Sequence, residues 1–157
     1  MDKTWIQAFG KMTYGIYVLT TFYEDQINAM IASWVSQVSF DPPLMMAAIH
    51  PSRYSHQLIE KSRCFALHIP AKHQSEYLSR FKGPDPAAKF DGIQWIKGKS
   101  GCPILNQCVA YVECRVRNSY RPGNHTLFIG EVIEARRCAD EAPFSSLDYD
   151  GQYLGQD

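Results

Sequence analysis

The first twelve residues carry apolar side chains at helical spacing. Trp5, Ala8, Phe9 and Met12 recur three and four apart behind Asp2, which predicts a short amphipathic helix over about 3–12 with Asp2 as its cap. The pattern then changes period. "YGIYVLTTFY" (14–23) is dense in β-branched and aromatic residues and predicts a strand that is apolar on both faces. "EDQ" makes a polar turn, and 27–39 returns as a second strand that stops at "DPP", because proline has no N–H for a ladder. "LMMAAIH" (44–50) is a third strand.

Ser52 is placed to cap a helix carrying Tyr54, Leu58 and Ile59 that ends near Ser62. "CFALHIP" (64–70) is a fourth strand, and 72–81 suits a helix with Tyr77, Leu78 and Phe81 turned inward. Glycine and proline make 82–92 a loop, and "IQWIK" follows as a short strand. "VAYVECRVR" (109–117) has the cleanest alternation: Ala110, Val112, Cys114 and Val116 against Tyr111, Glu113, Arg115 and Arg117. "RPGN" turns the chain into "HTLFIGEVIEA" (125–135), completing a hairpin. Strands bounded by glycine and proline, with a few helices between them, predict a mostly β fold, a closed or partly open antiparallel barrel rather than a parallel sheet. Nothing divides the 157 residues, so a single domain over 1–157 is expected.

Composition narrows the function. Lys plus Arg and Asp plus Glu are 16 each, and a zero net charge argues against a nucleic-acid binder. Five cysteines include no CxxC pair, so metal-ligand spacing is absent and no metal is expected. With no apolar run near the ~18 residues of a membrane span and no signal peptide, the expectation is a reduced, cytoplasmic protein away from membranes. Neither GxGxxG nor GxxxxGK[ST] occurs, which removes the usual nucleotide-binding folds.

The second strand poses the chemical question. In "NAMIASWVSQVSF" an otherwise apolar strand carries Asn28, Ser33, Ser36 and Ser39 around Trp34. A hydroxyl buried without a partner costs roughly 1–3 kcal/mol. Either one face of the strand is wet, or a ligand that takes hydrogen bonds lies against it. Amides around Ala32–Trp34 suit the edge of a heteroaromatic ring. Ser52 and Ser55 stand at a helix start, where free N–H groups favour an anion, and Arg53 and Lys89 add positive charge. Each has a plainer reading too: serines on a solvated edge, a capping serine, a loop lysine in water.

Taken in order, "YGIYVLTT", "NAMIASWVSQVSFDPPLMMAAI", "SRYSHQLIEKSRCFALHIP", "VECRV", "NHTLFIGEV" and "DYDGQY" resemble the flavin reductase-like family with the FMN-binding split barrel, flavoredoxins included. The resemblance covers nearly the whole chain. It implies a six-stranded barrel working as a homodimer, with FMN rather than FAD near the interface and NAD(P)H as electron donor. It implies that Asn28, Met30, Ile31, Ala32, Ser33 and Trp34 contact the flavin, with Ser36 and Gln37 continuing that contact. Ser52, Arg53, Ser55 and Lys89 fall at the phosphate end. His125 resembles the family's histidine beside the flavin and nicotinamide and is the candidate catalytic residue. Tyr153 matches an aromatic that approaches the ring. Two departures stand out: Asn124 where the family often has Asp, and Ser33-Trp34, a flavoredoxin-like pair. Three functions follow: an NAD(P)H:flavin oxidoreductase supplying a monooxygenase partner, an electron-transfer protein keeping its FMN for redox-protein partners, or a non-enzymatic flavin-binding module.

Overall fold

A computed structural model describes residues 2–149. Helix α1 (Lys3–Phe9) is shorter than expected. The Asp2 carboxylate accepts the Thr4 N–H at 2.7 Å, Gly10 closes the helix, and none of its residues is buried. The strands are β1 (Tyr17–Tyr23), β2 (Gln26–Ala32), β3 (Val35–Phe40), β4 (Pro43–Ile49), β5 (Cys64–Ile69), β6 (Trp95–Lys97), β7 (Pro103–Leu105), β8 (Ala110–Tyr120) and β9 (Thr126–Arg137). Helices α2 (Tyr54–Ser62) and α3 (Ser75–Ser79) flank β5, and a single 3-10 turn spans Ala88–Phe90. No described helix is long and apolar enough to cross a membrane.

Seven strands form one antiparallel sheet in the order β2-β1-β5-β8-β9-β4-β3, and β6 and β7 form a separate hairpin. The expected strand over 27–39 is in fact two, β2 and β3, which lie at opposite edges of the sheet. This raises the implied six strands to seven. The apolar alternation runs straight through Ser33 and Trp34, so periodicity cannot mark the break.

That break shapes the molecule. Seven flat strands at ~4.7–4.9 Å spacing would hold the two edges about 28 Å apart. Only Ser33 and Trp34 separate β2 from β3 along the chain, and three Cα steps of 3.80 Å span at most ~11 Å. The sheet therefore rolls until its edges meet at this corner. Beyond the corner β2 and β3 share no ladder, and the barrel is split. The Trp34 carbonyl accepts the Ala48 N–H at 2.9 Å, which ties the corner to β4.

The rolled interior is packed by Leu19, Phe65, Leu67, Ile49 and Phe128, closed at one end by Ile59 of α2. On the other face of β1, Val18 joins Ile16, Leu78, Phe81, Leu105 and Phe144. Adjacent residues of β1 thus enter two different apolar clusters, as its two-faced pattern predicts.

Three buried polar groups fasten the β6–β7 hairpin to the barrel. Thr20 Oγ1 donates to the Pro103 carbonyl at 2.6 Å. The Glu113 carboxylate accepts from Lys99 N and Ser100 N at 3.2 and 2.6 Å. A Cβ on Gly98 would lie 2.5 Å from a Glu113 oxygen, so the loop approaches this closely only with glycine. His68 bridges β1 and β7. Its Nδ1 stands 3.1 Å from the Val18 carbonyl, and its Nε2 accepts the Leu105 N–H at 3.1 Å. This arrangement needs the neutral ring with hydrogen on Nδ1, since a second ring hydrogen would meet the Leu105 N–H.

Burial accordingly lowers the His68 pKa from 6.5 to about 4. Between these values the unfolded chain binds the proton and the folded chain does not. Stability contributed by neutral His68 is therefore full above pH 6.5 and falls as the pH drops toward 4, by about 3 kcal/mol at ~1.4 kcal/mol per unit. Urea unfolding at pH 7 and at about pH 4.5 measures this loss. The His68→Asn chain, less stable at pH 7, is expected to show a pH dependence smaller by that amount.

Candidate functional site

A cavity of about 520 Å³ opens where the barrel splits. One wall is β2 from Asn28 to Ala32 together with the Ser33–Trp34 corner. Ala48 and Ile49 of β4 and the following His50 make another, the start of α2 a third, and Phe81–Pro84 and Lys89 of the long loop a fourth. Tyr14, Ile16 and Tyr149 complete it. Arg53, Lys82 and Lys89 line the cavity, and no carboxylate does among the described residues.

Lys89 is the unexpected member. It lies in a turn-like loop yet is only 6% exposed. Its ammonium donates to Asn28 Oδ1 at 3.1 Å and to the Ala29 carbonyl at 2.9 Å. Asn28, itself buried, passes the connection on, its Nδ2 donating to Ser55 Oγ at 2.8 Å. A strand, a loop and a helix start are thereby joined through one amide. An ammonium has three donors, and both described partners of Lys89 are neutral, so a third N–H is available to a ligand. Burial is the main cause lowering the Lys89 pKa, and the positive charge of Arg53 adds to it. Asp85 acts in the opposite direction. An anion in the cavity would act in the same direction as Asp85 and favour the charged lysine.

The start of α2 differs from the expectation. Arg53, not Ser52, occupies the cap position and makes no side-chain capping bond. Ser52 is engaged by the end of β4: its Oγ lies 2.7 Å from His50 Nδ1, and its N–H donates to the same nitrogen at 3.2 Å. Such local bonds compete with capping. Tyr54 and Ser55, the first residues of the helix, face the cavity, where the first-turn N–H groups and the helix dipole favour negative charge.

The structure thus brings Asn28, Met30, Ile31, Ala32, Ser33, Trp34, Ser52, Arg53, Ser55 and Lys89 to one cavity. It leaves three expected residues off the described lining. Ser36 and Gln37 are exposed on β3, bonded to the Gln37 and Ser39 carbonyls, because the chain has already turned the corner onto the far edge of the sheet. His125, 6% exposed, stands behind the wall. Its ring centroid lies 4.6 Å from that of Trp34 and 5.2 Å from that of His50, both of which face the cavity. His125 Nδ1 meets Asn124 Oδ1 at 2.8 Å. Tyr153 lies outside the described residues.

The sequence reading missed His50, Tyr14, Phe81 and Lys82. His50 could have been found as the polar residue that ends an apolar strand just before the serine-rich helix start. The other three reach the cavity only through tertiary folding.

The chemistry of this lining fits a flavin with a phosphate tail. The volume lies within the ~300–1,000 Å³ of small-molecule sites. Small residues at Ala32 and Ser33 leave the backbone open to a ring edge. Trp34, Tyr14, Phe81 and Tyr149 offer apolar surface to a planar ring, and the three cations suit a phosphate.

Comparison with known proteins agrees. A model of the flavin reductase like domain matches residues 9–155. The chain belongs to this family. A ferric-chelate reductase (NAD(P)H) of Archaeoglobus fulgidus is 28% identical over 92% of this flavin reductase-like chain and 88% of its own. The reductase subunit of a flavin-dependent monooxygenase of Mycobacterium tuberculosis is 29% identical over 98% of this chain and 81% of its own. The NADH:FAD oxidoreductase of Streptomyces globisporus, solved with NAD and FAD fragments, superposes with a TM-score of 0.83. It is 28% identical, over 92% of this chain and 87% of that one.

Proposed function

We propose that the cavity at the barrel split holds one FMN, and that the chain acts there as an NAD(P)H:flavin oxidoreductase. The observation that carries the reading is a cavity with three cations, one of them a buried lysine with a spare donor, and no carboxylate in its described lining. Ser52, Arg53, Ser55 and Lys89 hold one phosphate. No second cluster of cations in the described lining is left for a diphosphate, which favours FMN over FAD.

When bound, the flavin supplies the centre that accepts hydride from the nicotinamide. The chain's residues bind and orient. Backbone N–H groups around Ala32–Trp34 meet the ring edge and favour negative charge there. Trp34 and His50 form the wall beside the ring, and His125, packed on both from behind, fixes their positions. Their contribution is orientation of the two reactants. Reduced flavin then serves either a monooxygenase partner after release or a redox protein while bound. The flavoredoxin-like Ser33-Trp34 corner favours retention.

Absorbance of the purified protein, followed by anaerobic NADH and NADPH, tests the activity. Bleaching of the flavin by at least one nicotinamide is expected, and inertness to both nicotinamides and to reduced carrier proteins would favour a binding module. Colour that survives extensive dialysis assigns the retained-FMN form.

Lys89→Ala removes a charge-assisted contact worth roughly 1.5–3 kcal/mol. FMN affinity should fall by about tenfold to a hundredfold. Riboflavin, with no phosphate, should lose much less. Equal weakening of both ligands in flavin titrations would remove Lys89 from the phosphate site.

A second copy of the chain is the proposed partner for α1. Trp5 and Phe9 on α1 and Met12 just beyond it are 62%, 52% and 64% exposed, large apolar side chains left in water by the single chain. Light scattering across a dilution series should report a homodimer down to micromolar concentration.

A further inference from the structure

All five cysteines are free thiols, and only Cys138 is exposed. Cys64, Cys102 and Cys114 are buried core residues beneath the β6–β7 hairpin and inside the barrel. Cys108 and Cys138 stand apart from them at the open end of the β8–β9 hairpin. The last rung of that ladder pairs Ala110 with Arg137. Just beyond it, the Val109 carbonyl accepts the N–H groups of both Cys138 and Ala139, at 2.7 and 3.0 Å. This sets the Cys138 backbone against Val109, the residue that follows Cys108, and Cys138 is near enough to be among the causes that raise the Cys108 pKa, after burial. Cys108 is 8% exposed, and its Sγ also donates to the Leu105 carbonyl at 3.5 Å.

A third group belongs to the cluster. The Tyr77 hydroxyl of α3 is the one fully buried side-chain polar atom without a hydrogen-bond partner among the described residues. Burial raises its pKa, and the nearby Cys108 adds to the rise. An orphaned buried hydroxyl is costly, and its retention beside a thiol pair calls for a use.

We propose that Cys108 and Cys138 are a reversible dithiol–disulfide pair, oxidised by hydrogen peroxide, with the Tyr77 hydroxyl, unpaired in the reduced protein, turning to donate to the Cys108 sulfur as the disulfide forms. The steps balance. Exposed Cys138 attacks one peroxide oxygen, the O–O bond breaks, and Cys138 sulfenic acid and water result. The Cys108 sulfur then attacks Cys138 Sγ. The S–O bond breaks, the Cys108 thiol proton leaves with the hydroxide as a second water, and a disulfide remains. Peroxide has taken two electrons from the pair. Burial holds the Cys108 thiol up at about 12, so it is a poor target for peroxide on its own and reacts as the resolving partner because it is already in place. Tyr77, whose pKa burial also raises, keeps its proton and stabilises charge that forms on the Cys108 sulfur.

The site lies on the back of the cavity wall. Tyr77 packs edge to face on Phe81 with centroids 5.2 Å apart, and Phe81 lines the cavity. A supply of peroxide follows from the proposed function, since reduced flavin and dioxygen yield oxidised flavin and hydrogen peroxide. The supply rests on that reading, but the thiol chemistry does not, so the test uses added peroxide and needs no nicotinamide.

Reduced protein is exposed to a small excess of hydrogen peroxide, unfolded, alkylated and mapped by mass spectrometry. The expected result is a fall from five free thiols to three and the loss of two hydrogens in mass. The peptides containing Cys108 and Cys138 should be joined within one chain, and dithiothreitol should restore all five. Cys138→Ser, a change at an exposed position, should abolish the mass loss. Cys108→Ala should stop at a sulfenic acid on Cys138 that dimedone traps. Tyr77→Phe should slow disulfide formation several-fold. No disulfide, a disulfide between two chains through Cys138, irreversible over-oxidation of Cys138 with Cys108 still reduced, or an unchanged rate in Tyr77→Phe would each overturn the proposal.

Discussion

The architecture depends on the length of one connection. Two residues, Ser33 and Trp34, join strands that stand first and last in a seven-stranded sheet. Hydrogen bonding alone would accept a flatter sheet. The chain cannot, because covalent reach limits the gap between the edges to a fraction of the flat width. The barrel, its split and the cavity at the split all follow from this tether. The ligand-facing backbone is placed by the same cause, since the residues at the corner have left one ladder and only begun another.

Polar side chains in the interior then decide how the remaining pieces attach. Asn28 joins Ser55 to Lys89, His68 joins β1 to β7, and Glu113 holds the turn between β6 and β7. Each occupies a buried position that a hydrophobic residue would fill more cheaply. Each joins segments distant in sequence, where apolar packing is permissive about register. A group left unsatisfied there costs about 1–3 kcal/mol, so a misdocked hairpin or loop is penalised at every such point. In the cavity the same logic leaves one donor of Lys89 over for a ligand.

Much of this was legible in the chain. The two-faced apolar pattern of 14–23 does describe a strand between two cores. The alternation of 109–117 holds on β8 only beyond the register shift between Glu113 and Cys114, where Cys114 and Val116 are buried and Arg115 and Arg117 exposed; before it Glu113, expected on the polar face, is buried. The strand break at Ser33–Trp34 was not legible, because alternation records which side is buried and not which neighbour a strand pairs with. β7 is three residues, Pro103–Leu105, too short to show a period. Within the site, the residues contiguous along 28–34 and 52–55 were found together. His50 was hidden by its strand, while Phe81 and Lys82 come from a loop whose path depends on tertiary contacts. Lys89 has a loop lysine's sequence context and a core residue's burial. His125 was placed by resemblance on the cavity wall and stands one layer behind it. A one-dimensional pattern does not distinguish those two depths.

The lining of cations without described carboxylates has a consequence for kinetics. Arg53, Lys82 and Lys89 sit at a concave opening whose walls are otherwise largely apolar, and low-dielectric walls focus a field outward. An approaching dianion is guided before it touches the protein. That long-range part of the attraction is screened over ~8 Å at physiological ionic strength, whereas the contact at buried Lys89 is largely shielded from salt. Added salt should therefore slow the capture of an anionic ligand far more than it hastens departure. Any preference of the proposed site for anions would be exercised first as a rate of encounter and only afterwards as a bond.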